Sequence, residues 1–194
     1  AIVGVSMALT PLLLLGIQRA LNGPLRIKVP KSERPYDTID TQTPKVLIAG
    51  MGRFGQVIAR LLTARHVPFV ALEHNPDTVE DLRRFGSQLY YGDPTRPELL
   101  RAAGAERIKV FVIAVDDPDT NIKTVRLIRR LYPNATVLAR ARNRQHAWKL
   151  MDLGAEPFRE VFASSLELGG RVLTSLGLGE ADAQEHVTRF RHHD

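Results

Sequence analysis

Lys45-Val46-Leu47-Ile48-Ala49-Gly50-Met51-Gly52-Arg53-Phe54-Gly55 decides how the rest of this chain is read. A short apolar strand runs directly into G-x-G-x-x-G, and the last glycine opens a pattern of helical period. The next apolar run, Phe69 to Leu72, ends on an acid, Glu73. In that setting the glycines have separate tasks. Gly50 permits the tight turn off the strand, Gly52 lets the backbone approach a pyrophosphate, and Gly55 lets the helix pack closely on the sheet. The helix start then offers free N–H groups and a positive dipole end to phosphate.

Outward from this loop, apolar runs alternate with helical patterns. Lys45–Gly50 reads as the first strand and Arg53–Arg65 as a helix with Phe54, Val57, Ile58, Leu61 and Leu62 on one face. Pro68–Glu73 is the second strand. Asp77–Phe85 is a helix turning Val79, Leu82 and Phe85 inward. Gln88–Tyr91 is a short third strand, and Glu98–Ala103 a short helix. Val110–Val115 is apolar throughout, as a strand buried on both faces requires. Pro118–Leu131 is a helix with proline near its start, where the missing N–H costs nothing. Thr136–Ala139 is the fifth strand. Gln145–Leu153, closed by Gly154, and Ser164–Leu176, closed by Gly177, are helices. Repeated β-α alternation predicts an α/β fold, a doubly wound parallel sheet with right-handed crossovers.

Arg53, inside the loop, can give a guanidinium to a phosphate. Glu73, 18 residues after Gly55, is placed to accept both ribose hydroxyls of an adenosine. Its charge favours NAD(H) or AMP over a 2′-phosphorylated cofactor, and His74 and Asn75 add no cationic pocket. Loops after parallel strands line the ligand crevice. Asp93 and Thr95, and Asp116 and Asp117, are therefore expected to border the adenosine, although a helix cap explains Asp93 or Thr95 as well.

The composition narrows the function. The chain of 194 residues is 44% hydrophobic and 25% charged, enough for one globular domain plus extra segments. It has no cysteine, which excludes disulfides, Cys-ligated zinc and thiol nucleophiles. The net charge of +6 fits an anion-binding or membrane-facing protein. Nucleic acid is not an expected partner, because no basic stripe carries interleaved aromatics. Ala1 to Gln18 holds no charged residue and is followed by Arg19, Arg26, Lys28 and Lys31. Residues 1–22 are expected to be the truncated end of a transmembrane helix, its basic flank on the cytosolic side. A buried helix of a soluble protein is the competing reading. Residues 23–43, polar and carrying Pro24, Pro30 and Pro35, read as a linker. The nucleotide-binding core is then expected at 44–140, and a C-terminal helical part with the start of a regulatory tail at 141–194.

GMGRFGQVIARLL, LYYGDPTRPELLRAAGAE and VLARARNRQHAWKLMDLGA resemble the KTN (RCK) regulatory domain of bacterial potassium transport proteins, over about Pro44 to Leu176. The R-F-G-Q loop, the Y-G-D-x-T turn, the LARAR strand and the F-x-S-S-L-E-L-G helix (Phe162 to Gly169) are closest to the Kef family of glutathione-gated potassium efflux systems. The resemblance implies a Rossmann-like dimer holding AMP or NAD(H), and it adds Phe54 and Arg140 to the nucleotide set. It implies glutathione as the ligand that keeps the system closed, and glutathione adducts of electrophiles as the ligands that open potassium/proton antiport. Arg60 and Arg159 match the family's glutathione contacts. The resemblance further implies a transport unit in the same protein, a cytoplasmic face of the inner membrane, and an ancillary flavodoxin-like quinone reductase subunit.

Two other classes compete. A soluble NAD-dependent oxidoreductase needs substrate-binding and proton-transfer groups, usually from a second domain, and only about 55 residues follow the fifth strand. His66, His74, His146 and His186 are scattered, read as surface groups, and HExxH, GxSxG and GxxxxGK[ST] are absent. No catalytic residue and no metal ligand is expected. A peripheral Trk-type uptake regulator has no membrane helix of its own, which sits poorly with the apolar N-terminus.

Overall fold

The computed structural model describes residues 44–84 and 89–194. The apolar run 1–22, the linker 23–43, Phe85 and Gln88 lie outside the described residues. No helix among the described residues is long and apolar enough to cross a membrane.

Six parallel strands form one sheet in the order β3-β2-β1-β4-β5-β6. They are β1 (Val46–Ala49), β2 (Phe69–Glu73), β3 (Leu89–Tyr91), β4 (Val110–Ile113), β5 (Thr136–Ala141) and β6 (Glu156–Arg159). The helices are α1 (Arg53–Ala64), α2 (Pro76–Arg84), α3 (Pro97–Ala102), α4 (Pro118–Leu131), α5 (Arg144–Asp152), α6 (Phe162–Ser175) and α7 (Glu180–His193). The strand order reverses between β1 and β4, whose register runs from Val46↔Val110 to Ala49↔Ile113. In an open α/β sheet this reversal opens the ligand crevice at the carboxyl ends of the strands.

Strand alternation divides the apolar residues between two layers. Leu47, Ala49, Val70, Leu72, Phe111 and Ile113 pack with Leu100 of α3, Val125 and Ile128 of α4 and Leu150 of α5. Val46, Ile48, Ala71 and Val112 pack on the opposite face with Ala59 of α1 and Val79 of α2. The central strands are buried on both faces, so they must be apolar at nearly every position. The doubly wound α/β fold expected from the alternation is the fold observed.

Local chemistry sets the helix limits. The Asp117 carboxylate caps α4 by accepting from the Thr120 amide at 2.8 Å, with Pro118 at the first helical position. The Asn143 side chain caps α5 by accepting from the His146 amide at 2.8 Å. Gly154 (φ 78°) and Gly177 (φ 98°) take the left-handed conformation after α5 and α6. The Ala155 amide then donates to the Leu150 carbonyl at 3.0 Å, and the Leu178 amide to Leu173 at 3.1 Å.

Four features depart from the sequence reading or add to it. A sixth strand, β6, pairs with β5 from Leu138↔Glu156 to Ala141↔Arg159. Its sequence, Glu-Pro-Phe-Arg, carries no strand pattern because an edge strand needs no buried face. Val57 and Leu61 do not join the packed face of α1. They are 58% and 65% exposed, while Phe54, Ile58 and Leu62 pack inward around buried Gly55 and Ala59. His146 is buried rather than on the surface. Finally, the segment after Leu178 forms α7, which packs on α6 through Ala183 and Val187. The α6–α7 pair is unusual in that no residue of α6 is buried.

Candidate functional site

The glycine loop is built by close packing. Gly50 has φ 95°, and a Cβ there would lie 2.9 Å from the Ala114 carbonyl carbon and the Val115 nitrogen. A Cβ on Gly55 would run into the Gly50 carbonyl. Both positions therefore require glycine so that β1, α1 and the end of β4 can meet. Gly52 is different, since a Cβ there would meet nothing within 4 Å. It faces open space at the N-cap of α1, where no side chain caps the helix and no acid occupies the first turn. The uncapped N–H groups and positive dipole end are free for an anion. Arg53 stands exposed beside them, and Phe54 is half-buried.

Glu73 ends β2 and is buried. One carboxylate oxygen accepts from the Met51 amide at 2.7 Å, inside the glycine loop, and the other accepts from the Asn75 amide at 2.9 Å. His74 Nδ1 lies 3.1 Å from that second oxygen. Glu73 thus holds the loop in shape from the neighbouring strand, and its remaining lone pairs are the ones left for hydroxyl donors. The Gly92 amide donates to the Glu73 carbonyl at 2.8 Å, which seats the loop after β3 alongside. There Asp93 accepts from both the Thr95 amide (2.9 Å) and the Thr95 hydroxyl (2.7 Å) in a self-contained turn. It does not cap α3, whose N-cap is Arg96. Asp117 is committed to α4, and its hydrogen bonds from Thr120 hold its carboxyl below the usual range.

Arg140, at the far side of the crevice, is buried. Its guanidinium meets Glu160 at 2.5 Å and Asp116 at 2.8 Å, and lies 5.8 Å from the centre of the Phe54 ring. One side chain thereby joins the ends of β4 and β5, the start of α1 and the residue following β6. Asn121, fully buried on α4, supports the same corner. Its amide nitrogen donates to the carbonyls of Val115 (3.1 Å), Arg140 (3.2 Å) and Ile113 (3.4 Å), stapling β4 to β5 at the crevice. Sequence reasoning missed Asn121, Asp116 as a partner of Arg140, and Glu160. A polar residue on the core-facing period of α4 was the available signal for the first.

The two arginines matched to glutathione contacts lie on different elements. Arg60 is exposed on α1, its Nε donating to the Gln56 carbonyl at 3.4 Å. Arg159, at the end of β6, stacks 3.6 Å from the Phe162 ring centre and is ion-paired with Asp194. In the sheet order β4 and β5 stand between β1 and β6. No group of three or more His, Asp or Glu residues among those described could hold a metal ion.

Comparison with known proteins follows the same division. The TrkA-N domain profile matches residues 46–159. The profile of the potassium efflux system KefB C-terminal domain matches residues 164–194. The glutathione-regulated potassium-efflux system protein KefC of Escherichia coli O139:H28 is 42% identical over 190 residues, covering 97% of this chain and 30% of that protein. The chain thus spans about 30% of the length of the curated relatives it matches. Among solved structures, the Kef C-terminal domain of Shewanella denitrificans in its AMP-bound form is 39% identical, with a TM-score of 0.69, covering 77% of this chain and 91% of that one. The GsuK channel bound to NAD is 28% identical, with a TM-score of 0.52, covering 58% and 20%.

Proposed function

This chain belongs to the TrkA-N (KTN) domain family, as a Kef-type C-terminal domain, and on that premise we propose that it is the cytoplasmic regulatory module of a potassium efflux system in the inner membrane. In this reading it binds AMP or NAD(H) and senses glutathione. It performs no chemistry on the nucleotide.

One observation carries the nucleotide part: the open space at Gly52, over the uncapped start of α1, with the Glu73 carboxylate at the end of the next strand. Phosphate fits the first, and ribose hydroxyls fit the second. Gly50, Gly52, Arg53, Phe54 and Gly55 would hold the phosphate end, and Glu73, Asp93 and Thr95 the adenosine. Arg140, already neutralised by two acids, would shape the crevice wall. The relatives' names add support, since one Kef domain was solved with AMP and GsuK with NAD. Thermal-shift titration tests this. AMP and NADH should raise the Tm in proportion to ln(1 + [L]/Kd). A preference for NADPH over both overturns the Glu73 assignment.

Gating needs a ligand that binds the closed and open arrangements with different affinity. Glutathione, with two carboxylates, suits the cations at Arg60 and Arg159, and the matched relative is glutathione-regulated by name. Glutathione would hold the efflux unit closed, and bulkier adducts would open potassium/proton antiport to protect against electrophiles. A homodimer is part of the proposal, and the exposed apolar residues of α6 support it. Leu168 and Val172 are 66% and 50% exposed on a helix with no buried residue. An ancillary flavodoxin-like reductase subunit remains an expectation from the resemblance. Loss of glutathione binding in Arg60→Ala and Arg159→Ala tests the site, and unchanged titrations in both would refute it.

A further inference from the structure

We infer that the amino-terminal end of the sheet, around Lys45 and Lys109, is a docking face for anionic phospholipid headgroups, at the end of the domain opposite the nucleotide crevice. The inference rests on the proposed membrane location and is independent of the glutathione reading.

Lys45 and Lys109 immediately precede β1 and β4, the two central strands whose register begins at Val46↔Val110. The Lys109 amide donates to the Lys45 carbonyl at 3.0 Å, so the two lysines are neighbours across the ladder. Adjacent strands are about 4.8 Å apart, and like charges side by side at that spacing are destabilising. Both lysines are exposed, and neither is ion-paired among the described residues. Arg65, the C-cap of α1, and Arg107, in the connection before β4, are exposed on loops at the same end. A helix dipole favours the cation at Arg65. It accounts for neither lysine, because both precede strands rather than close helices. Nor do acids compensate them. Glu106 is the one acid in residues 44–45, 65–68 and 103–109, and Asp152 and Glu156 lie toward β6, two strands beyond β4.

The crevice end is different, since its acids find partners inside the fold. Asp116 pairs with Arg140, Asp93 with Thr95 and Asp117 with Thr120. Two unneutralised cations held side by side by a rigid sheet are completed by an external anion. A phosphate between them relieves their repulsion, and an ammonium is a compact cation suited to it. Position favours lipid over other polyanions. The linker at residues 23–43 ends just before Lys45, so the chain enters the domain at this face. Headgroups are then held at high local concentration, and contacts that are weak one by one add up. Docking by this end leaves the crevice open at the other.

Amine footprinting of the 194-residue chain tests the face, on phosphatidylcholine vesicles alone or carrying about 30% phosphatidylglycerol. Phosphatidylglycerol should slow acetylation of Lys45 and Lys109 roughly fivefold, while Lys123 and Lys149, exposed on α4 and α5, change by less than about twofold. High salt should erase the difference. Lys45 should lose its protection in Lys109→Gln and keep it in Lys109→Arg. Labelling of Lys45 that ignores phosphatidylglycerol overturns the inference and leaves an acidic protein surface as the occupant. Equal protection of Lys123 and Lys149, or protection of Lys45 unchanged in Lys109→Gln, also overturns it. Sedimentation with pure phosphatidylcholine vesicles reports the membrane-helix reading separately. Failure to sediment there, with the protection by phosphatidylglycerol intact, removes that reading alone and supports the face.

Discussion

The sheet and the α6–α7 pair spend apolar residues in opposite ways. In the sheet, Leu47, Ile48, Phe111 and Ile113 are wholly buried, each between the sheet and a helix layer. In α6, Leu168 and Val172 stand in solvent, and the helix packs chiefly on α7. Apolar side chains that gain nothing from their own fold are stabilising only against another surface. The nucleotide end thus carries its own stability, and the C-terminal end leaves apolar surface uncovered.

The largest test of this contrast is Phe111→Ala. Phe111 is fully buried and stacked on Tyr132 at 5.5 Å, so its loss should cost ~3–5 kcal/mol in urea unfolding. Next is Gly55→Ala, which forces a Cβ against the Gly50 carbonyl. It should cost ~1–3 kcal/mol and abolish the AMP-induced thermal shift. Arg140→Ala should cost about 2 kcal/mol, because Glu160 loses its charged partner at the crevice. Calorimetric Tm would record it.

The fourth test is pH. Burial, helped by Lys149, holds the His146 imidazole below its ordinary value of 6.5. Its Nδ1 accepts from the Arg142 amide at 3.2 Å, an interaction that only the neutral ring offers. The unfolded chain takes up a proton near pH 6.5 and the folded chain does not, so stability should fall as pH drops below 6.5. His146→Gln should flatten that slope, and an unchanged slope assigns it to other groups. The smallest effect is expected at α6. Leu168→Glu should change chain stability by no more than ~0.5 kcal/mol, yet shift sedimentation toward the monomer. A large loss of stability there would erase the contrast.

The two regions also differed in how well they could be read. Val46 to Ala49 and Val110 to Ile113 are apolar at every position because both faces are covered, so the strands declare themselves. Gly50 and Gly55 declare the loop because backbone contact leaves room for no other residue. β6 was illegible because, at the sheet edge, none of its four residues is buried, so its sequence carries no apolar pattern. Val57 and Leu61 misled because an apolar residue at helical spacing suits a core and an interface equally. The Asp194 contacts reach back 35 residues to Arg159, and no local pattern encodes such a distance. The glutathione assignment of Arg159 came from resemblance, and its aromatic backing and acidic partner came from the fold.

A parallel sheet that ends on an exposed edge invites another strand to add on, the first step toward ordered aggregates. Here the edge is four residues long, with Pro157 lacking a donor and Glu156 and Arg159 placing charge along it. Such an edge is a poor template for growth. Copies of this chain can therefore crowd together without their sheets fusing at β6.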